Sequence, residues 1–375
     1  MSMLYLLYSL LLCSLLLDSC LRLILLGLRI LRPARKASPR SEILASRVQG
    51  CVVLIAARND AGRIGATVAA LKAGLGEWPG SSLWVIADHC TDSTAAEAES
   101  SGAQVAVRSG GRSGQGAVIA WWLQRYEAIW QSREAIVIIG ADGRLKSGSL
   151  SGLKAAIARG GDAAQALVVP QVAPEARHLA GWSEVSTQCI DDEARWRCDW
   201  PVPIRGTGMV FRSRVLAELA PRLHPVTEDL EFNLLLAARR IRVEFVREAT
   251  VYDPPPSPPV ETARPGLRRR LQVLFNCRRE LLTALTTGGL GNWFLLWPLL
   301  LRPRSLFVGA RLILLLFVPW LALAGLAMDL VYYLAAAAIV DNPRRYLLDL
   351  LAVPRYGGIW LYDWGLAIMR RGAKG

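Results

Sequence analysis

Carboxylates recur in this chain at the ends of apolar runs, where they can hold a charged ligand. Asp142 follows Ile136-Val-Ile-Ile139 and stands among Gly140, Ala141 and Gly143. A carboxylate set there among small residues is a natural magnesium or manganese ligand for a substrate diphosphate. Asp88 closes the run from Ser82 to Ala87, and Asn59-Asp60 follows the run from Gly50 to Ala57. Thr227-Glu228-Asp229 opens a helical pattern with apolar Leu230, Leu234 and Leu235. Arg268-Arg269-Arg270 is a dense cation cluster. Each has a plainer reading. Asp and Gly suit a turn, Thr caps a helix whose first turn favours acids, and an arginine strip suits anionic lipid. The residues alone leave both readings open.

The elements around these residues set their placement. Runs that are apolar on both faces, such as Ile136–Ile139 and Gly50–Ala57, read as buried strands of a parallel sheet. Helical patterns lie between them: Ile64, Val68 and Leu71 at i, i+4, i+7, then 94–101, then 117–131. Further strands are expected at 104–107, 166–171, 209–211 and 241–246, with a helix at 149–158. The alternation predicts an α/β fold with a doubly wound, mostly parallel sheet. Ligands bind such sheets at the carboxyl ends of the strands, the edge to which Asp88 and Asp142 belong.

The chain has 375 residues, 53% of them hydrophobic, and a formal net charge of +13. Its apolar residues concentrate at the two ends, so the basic balance points to membranes and phosphorylated small molecules rather than nucleic acid. Only three histidines occur, His89, His178 and His224, which leaves little for a zinc site or a Ser-His-Asp triad. Seven cysteines without a C-x-x-C pair suit a reduced compartment. Gly110–Gly116 is glycine-rich but does not follow the first strand, so it is not a dinucleotide loop. Residues 1–31 are long enough to span a bilayer, with Asp18 and Arg22 at i, i+4 spacing to pair. Arg32, Arg35, Lys36 and Arg40 follow in a basic linker (32–49), which sets the downstream chain on the cytoplasmic side of the inner membrane. The expected order is then a domain at 50–253, a Pro-rich linker and basic interfacial helix at 254–292, a membrane region at 293–340 and an interfacial tail at 341–375. The membrane region reads as a hairpin of 307–326 and 327–340, with one long tilted helix as the alternative.

In this order the motifs resemble those of membrane-bound family 2 glycosyltransferases, the polysaccharide-synthase-like group with a GT-A fold. Val53-Leu-Ile-Ala-Ala-Arg-Asn-Asp60 resembles the family's first-strand motif. Ala87-Asp88-His-Cys-Thr-Asp-Ser-Thr-Ala95 resembles the second-strand motif, whose Asp contacts the nucleobase. Gly140-Ala141-Asp142 stands at the D-x-D position, Thr227-Glu228-Asp229 at T-E-D, and Leu267-Arg-Arg-Arg-Leu271 at Q-x-x-R-W. The resemblance implies Asp142 as metal ligand to Mg2+ or Mn2+, and Asp229 with Glu228 as catalytic carboxylates, Asp229 being the general base. It implies Asn59, Asp60, Asp88, Arg268, Arg269 and Arg270 on the nucleotide sugar. The implied partners are a nucleotide sugar (UDP-linked by default), a lipid or glycan acceptor and membrane lipid, with no nucleic acid. The implied work is envelope or exopolysaccharide biosynthesis in the cytoplasmic membrane.

Three departures qualify this. Gly140 replaces the first Asp of D-x-D, Gln115 stands where relatives carry Lys, and Leu267 and Leu271 replace Gln and Trp. They point to weak metal affinity without donor and to non-processive transfer. They also keep open a degenerate, non-catalytic nucleotide-sugar-binding or assembly subunit.

Overall fold

The computed structural model describes residues 2–33, 48, 50–112, 114–170, 184–222, 228–253, 273–300, 310–312 and 314–339. The 254–259 proline run, Leu267–Leu271 with its three arginines, Thr227 and the 341–375 tail lie outside the described residues. The chain divides into two compact units, 33–172 with 195–296, and 1–32 with 173–194 and 297–375. The segment 173–194, read from the sequence as part of a continuous domain, therefore groups with the chain's two ends.

The larger unit is built on one eight-stranded mixed sheet in the order β3-β2-β1-β4-β7-β6-β8-β5. Its strands are β1 (Cys51–Ala57), β2 (Ser82–Asp88), β3 (Gln104–Arg108), β4 (Ala135–Gly140), β5 (Arg144–Leu145), β6 (Ala163–Pro170), β7 (Met209–Arg212) and β8 (Val243–Asp253). Pairings β1–β2, β1–β4, β2–β3 and β6–β8 are parallel, and β7 and β5 run antiparallel to their partners. The unbroken apolar runs follow from burial on both faces. Val53, Ile55, Val137 and Ile139 pack with Ile64, Val68, Leu71 and Leu153 on one side. Val52, Leu54, Ile136 and Ile138 pack with Val118, Trp122 and Phe211 on the other. The strand order runs from β1 through β2 to β3 and then resumes with β4 on the opposite flank of β1. This is the switch point at which open α/β sheets leave a crevice.

Two elements differ from the sequence reading. The helix expected over 117–131 is two helices, Gln115–Arg125 and Glu127–Gln131. The break is at Tyr126, whose ring lies 4.8 Å from that of Trp84 and stacks at 5.5 Å on Trp122. The last strand, expected to end at Val246, continues to Asp253. It does so through a bulge: Ala166 pairs with Val246, and the next residue, Leu167, pairs with Thr250. The bulge absorbs Arg247 and Glu248, the charged pair that reads as a strand end. Beyond it, β5 pairs Arg144 with Tyr252 and Leu145 with Val251. That register puts Asp142, two residues before Arg144, beside Asp253, the residue after Tyr252.

In the smaller unit a helix runs from Ser2 to Leu31, and Asp18 and Arg22 pair at 2.9 Å as their spacing predicts. A second helix, Pro319–Ile339, runs unbroken through the boundary expected at 326/327. The chain turns instead at 315–317, ahead of Pro319 at the first helical position. Arg311 pairs with Asp329 and donates to the Leu15 carbonyl, and Ser19 donates to Asp329 at 3.1 Å. Gly325 makes room for this, since a Cβ there would stand 2.9 Å from Arg311 Nε. Polar groups buried in an apolar unit are tolerated only when paired in this way. Among the described residues, Pro319–Ile339 is the one helix long and apolar enough to cross a membrane, by length and composition. The expected multi-pass topology has that one helix to rest on.

Gly208 fixes how closely the loop before β7 approaches β8. Its φ is +65°, and an added Cβ would lie 2.7 Å from Val251 Cγ2. Gly208→Ala is therefore expected to cost about 2 kcal/mol or more from strain and overpacking together. Urea unfolding of the purified protein checks it.

Candidate functional site

The carboxyl ends of β1, β2 and β4 meet at the switch point and carry the residues singled out from the sequence. Asp60 is tied into its loop: Oδ1 accepts from Arg63 Nη2 at 2.7 Å and Oδ2 from the Arg58 N–H at 2.8 Å. Its own N–H donates to Thr94 Oγ1 at 2.8 Å. Asn59 holds a left-handed backbone (φ 55°), rare for a residue other than glycine. Its Oδ1 accepts from the Thr91 N–H at 2.8 Å, joining the β1 and β2 loops. Asp92 and Glu97 accept from the Ala61 and Gly62 N–H groups across the same seam. A lowered Asp92 carboxyl reflects first its bond from the Thr94 hydroxyl. Asn59 and Asp60 thus build the rim between β1 and β2 as well as lining it.

Asp88 ends β2 and is buried. One of its oxygens serves two donors, Arg108 Nη1 and His89 Nδ1, the latter at 2.8 Å. Arg108 is buried too and reaches the Arg112 carbonyl at 2.7 Å. The side chain after Asp88 is the more open one, because His89 keeps 26% of its surface exposed. His89 shares Asn59's left-handed backbone, with φ 51°. Any ligand contact by Asp88 is therefore made beside this imidazole.

Asp142 stands on the turn closed by the Gly143 N–H to Gly140 carbonyl bond of 3.0 Å. Its Oδ2 lies 3.9 Å from Arg63 Nη1. Burial raises the Asp142 carboxyl above its ordinary range, Arg63 opposes that, and the Asp60 charge adds to it. The residue that sequence reasoning missed is Asp253. A Cβ on Gly140 would lie 3.6 Å from Asp142 Oδ1, 3.6 Å from Thr207 Oγ1 and 3.8 Å from Asp253 Oδ1. Gly140, at the position of the missing first carboxylate, is therefore flanked by two others. Burial, and next the charge of Asp142, push the Asp253 carboxyl up to about 6. The signal for it was the return of apolar residues in Ala249-Thr-Val-Tyr252 beyond Arg247-Glu248.

Glu228 and Asp229 open the helix Glu228–Ala238, and their side chains lie outside the described residues. One turn on, Asn233 clamps Ile204, accepting from its N–H at 2.9 Å and donating to its carbonyl at 3.1 Å. Arg268, Arg269 and Arg270 lie outside the described residues.

A divalent cation fits Asp142 and Asp253 by donor chemistry. Both are hard oxygen ligands, and the charge of Asp142 bears on the buried Asp253 carboxyl. Among the described residues no group of three or more His, Cys, Asp or Glu is placed to hold a metal, so further ligands must come from elsewhere. The raised Asp253 carboxyl also makes a stability prediction. Its contribution is complete below pH 4 and is lost as pH rises through about 6, because the buried group must then ionise. In metal-free protein, Asp253→Asn should therefore gain stability relative to wild type between pH 4 and 7, and hold a level difference above. Thermal midpoints of the two proteins across that range check it.

A family model described as glycosyl transferase family group 2 matches residues 135–340, more than half of the chain. No curated protein matches it. Among solved structures the chain is similar to a mannosyltransferase, PcManGT, from Pyrobaculum calidifontis in complex with GDP-Man and Mn2+. There the identity is 16% over 92% of this chain and 90% of that one, with a TM-score of 0.49. It is also similar to mannosyl-3-phosphoglycerate synthase from Rubrobacter xylanophilus, at 17% identity over 64% and 79%, TM-score 0.44. Against glucosyl-3-phosphoglycerate synthase from M. tuberculosis the identity is 16% over 68% and 87%, TM-score 0.42. By the extent of the family match, the chain belongs to glycosyl transferase family group 2 and is a glycosyltransferase.

Proposed function

We propose that this chain is a membrane-anchored, inverting GT-A-type transferase with its catalytic unit facing the cytoplasm. It moves a sugar from a nucleotide sugar, UDP-linked by default, to a hydroxyl of a lipid or glycan acceptor in envelope or exopolysaccharide assembly. The observation that carries this reading is the pairing of Asp142 with Asp253 at the switch point of the sheet, on either side of Gly140. Asp142 and Asp253 would hold a divalent cation there, with the donor's phosphates to complete its oxygen ligands. When bound, the cation neutralises charge that builds on the diphosphate as it leaves. Asn59, Asp60 and Asp88, with Arg268, Arg269 and Arg270, are assigned to the nucleotide and diphosphate.

In the transfer step the acceptor oxygen forms a bond to the anomeric carbon. The bond from that carbon to the diphosphate oxygen breaks, and its electron pair leaves with the nucleoside diphosphate. Asp229 takes the acceptor's proton, and Glu228 supports it at the helix start. One displacement from the face opposite the leaving group inverts the centre. Membrane attachment is supported by Pro319–Ile339, whose neighbourhood exposes Leu316, Phe317 and Trp320, and by the net charge of +13, which favours anionic lipid.

Nucleoside diphosphate release from a panel of UDP- and GDP-sugars, with cellular lipid or glycan acceptors and Mn2+, tests the reaction. Asp229→Asn should lower kcat by a factor on the order of 100 or more while leaving nucleotide binding intact. Undiminished turnover in that variant would remove Asp229 as the base, and no release by wild type across the panel would return the chain to a binding subunit. Gly140→Asp should strengthen Mn2+ binding in the absence of donor by about tenfold, as a third carboxylate joins two. Carbonate washing of membranes should leave the full chain in the pellet.

A further inference from the structure

The loop from Ile204 to Gly208 is held by amide side chains from three separate elements. Asn233, on the helix that Glu228 and Asp229 begin, takes both backbone polar groups of Ile204, at 2.9 and 3.1 Å. Gln165, fully buried in β6, accepts from the Arg205 N–H at 2.9 Å and donates to the Thr207 carbonyl at 2.9 Å. Gln115, at the start of its helix, donates to the Gly206 carbonyl at 2.7 Å. Gly206 and Gly208 have φ of +77° and +65°, a path that other residues rarely follow. At the far end of the loop, Thr207 Oγ1 accepts from the Gly140 N–H at 3.0 Å. As an acceptor there, it keeps its own hydrogen to donate.

This loop links two otherwise separate parts of the site. Thr207 reaches Gly140, between Asp142 and Asp253, where the leaving group is expected. Ile204 reaches Asn233, one helical turn after Asp229, where the acceptor is expected to lose its proton. In a single displacement the transferred sugar must lie between leaving group and base. A buried loop fixed by five amide contacts would be an expensive way to join two strands, and short connections are commonly looser and more exposed. We infer that residues 204–208 are the floor under the transferred sugar, that Thr207 donates to a sugar oxygen, and that Gln115, Gln165 and Asn233 are positioning residues that set the distance from donor to base. Gln115, which departs from the family's usual Lys, has a defined part in this arrangement.

The inference rests on the glycosyltransferase reading of the site, and the test separates the two. Calorimetry would measure binding of a nucleotide sugar and of its nucleoside diphosphate, both with Mn2+, to wild type, Thr207→Val, Thr207→Ser and Gln115→Glu. Gln115→Glu keeps the shape of the side chain but removes its donor. For Thr207→Val and Gln115→Glu, affinity for the nucleoside diphosphate should stay within about twofold of wild type. Affinity for the nucleotide sugar should fall by about fivefold or more, the weight of one hydrogen bond to a polar ligand, and Thr207→Ser should restore it. In turnover, Gln115→Glu should raise KM for donor in step with that lost affinity and lower kcat as well, with no change in thermal midpoint. Equal losses for both ligands, or none, overturn the sugar floor. If wild type binds the nucleoside diphosphate but gains nothing from the sugar, the floor fails and the nucleotide site stands. If it binds neither, both readings fail.

Discussion

Two carboxyl groups set on either side of Gly140 at a sheet edge are the constraint around which this site is organised. Asp142 and Asp253 come from turns and strands far apart in sequence. Burial disfavours the ionised form of each, and the charge of Asp142 adds to the burden on Asp253. The fold holds them there through the register of a two-residue strand against a long one, with Arg144 on Tyr252 and Leu145 on Val251. That strand register in turn depends on the bulge in β8 and on the close approach of Gly208 to Val251. A site that stores repulsion in the absence of ligand is one that a cation relieves, which links the geometry of the sheet edge to the chemistry of a diphosphate leaving group.

The surroundings divide the work. On the β1–β2 side, Asn59, Asp60, Asp92 and Glu97 spend most of their capacity on backbone N–H groups and on Arg63, so that side is stiff before any ligand arrives. Asp88 is buried with Arg108, a pair that is costly to break because either partner alone would be an uncompensated charge. On the β7 side, amide groups hold the loop next to Gly140. Preorganisation of this kind is what electrostatic catalysis requires, since the protein need not reorganise as charge develops.

Much of this was legible in the sequence, and the exceptions have physical reasons. The apolar runs at β1, β2 and β4 were readable because helices cover both faces of the sheet, and the helix Ser149–Ala158 lies where its pattern put it. Asp142 was readable as a carboxylate at a strand end. Asp253 was hidden because Arg247 and Glu248, in the bulge, imitate a strand terminus; only long-range pairing with β6 and β5 carries the strand onward. The helix that runs unbroken through 326/327 stood in the sequence reading only as the alternative, for a similar reason. Asp329 reads as a turn residue, yet it is the buried partner of Arg311, which local patterns do not reveal. The grouping of 173–194 with the chain ends is likewise a matter of tertiary contacts.

The central claim is that Asp253 supplies the second carboxylate that Gly140 lacks. Electron paramagnetic resonance titration of Mn2+ into the full chain at pH 8, with saturating nucleoside diphosphate, addresses it directly in wild type and Asp253→Asn. The account predicts binding at least about tenfold weaker in the variant, with the bound-metal spectrum altered. Equal affinity and an identical spectrum in the two proteins would contradict it.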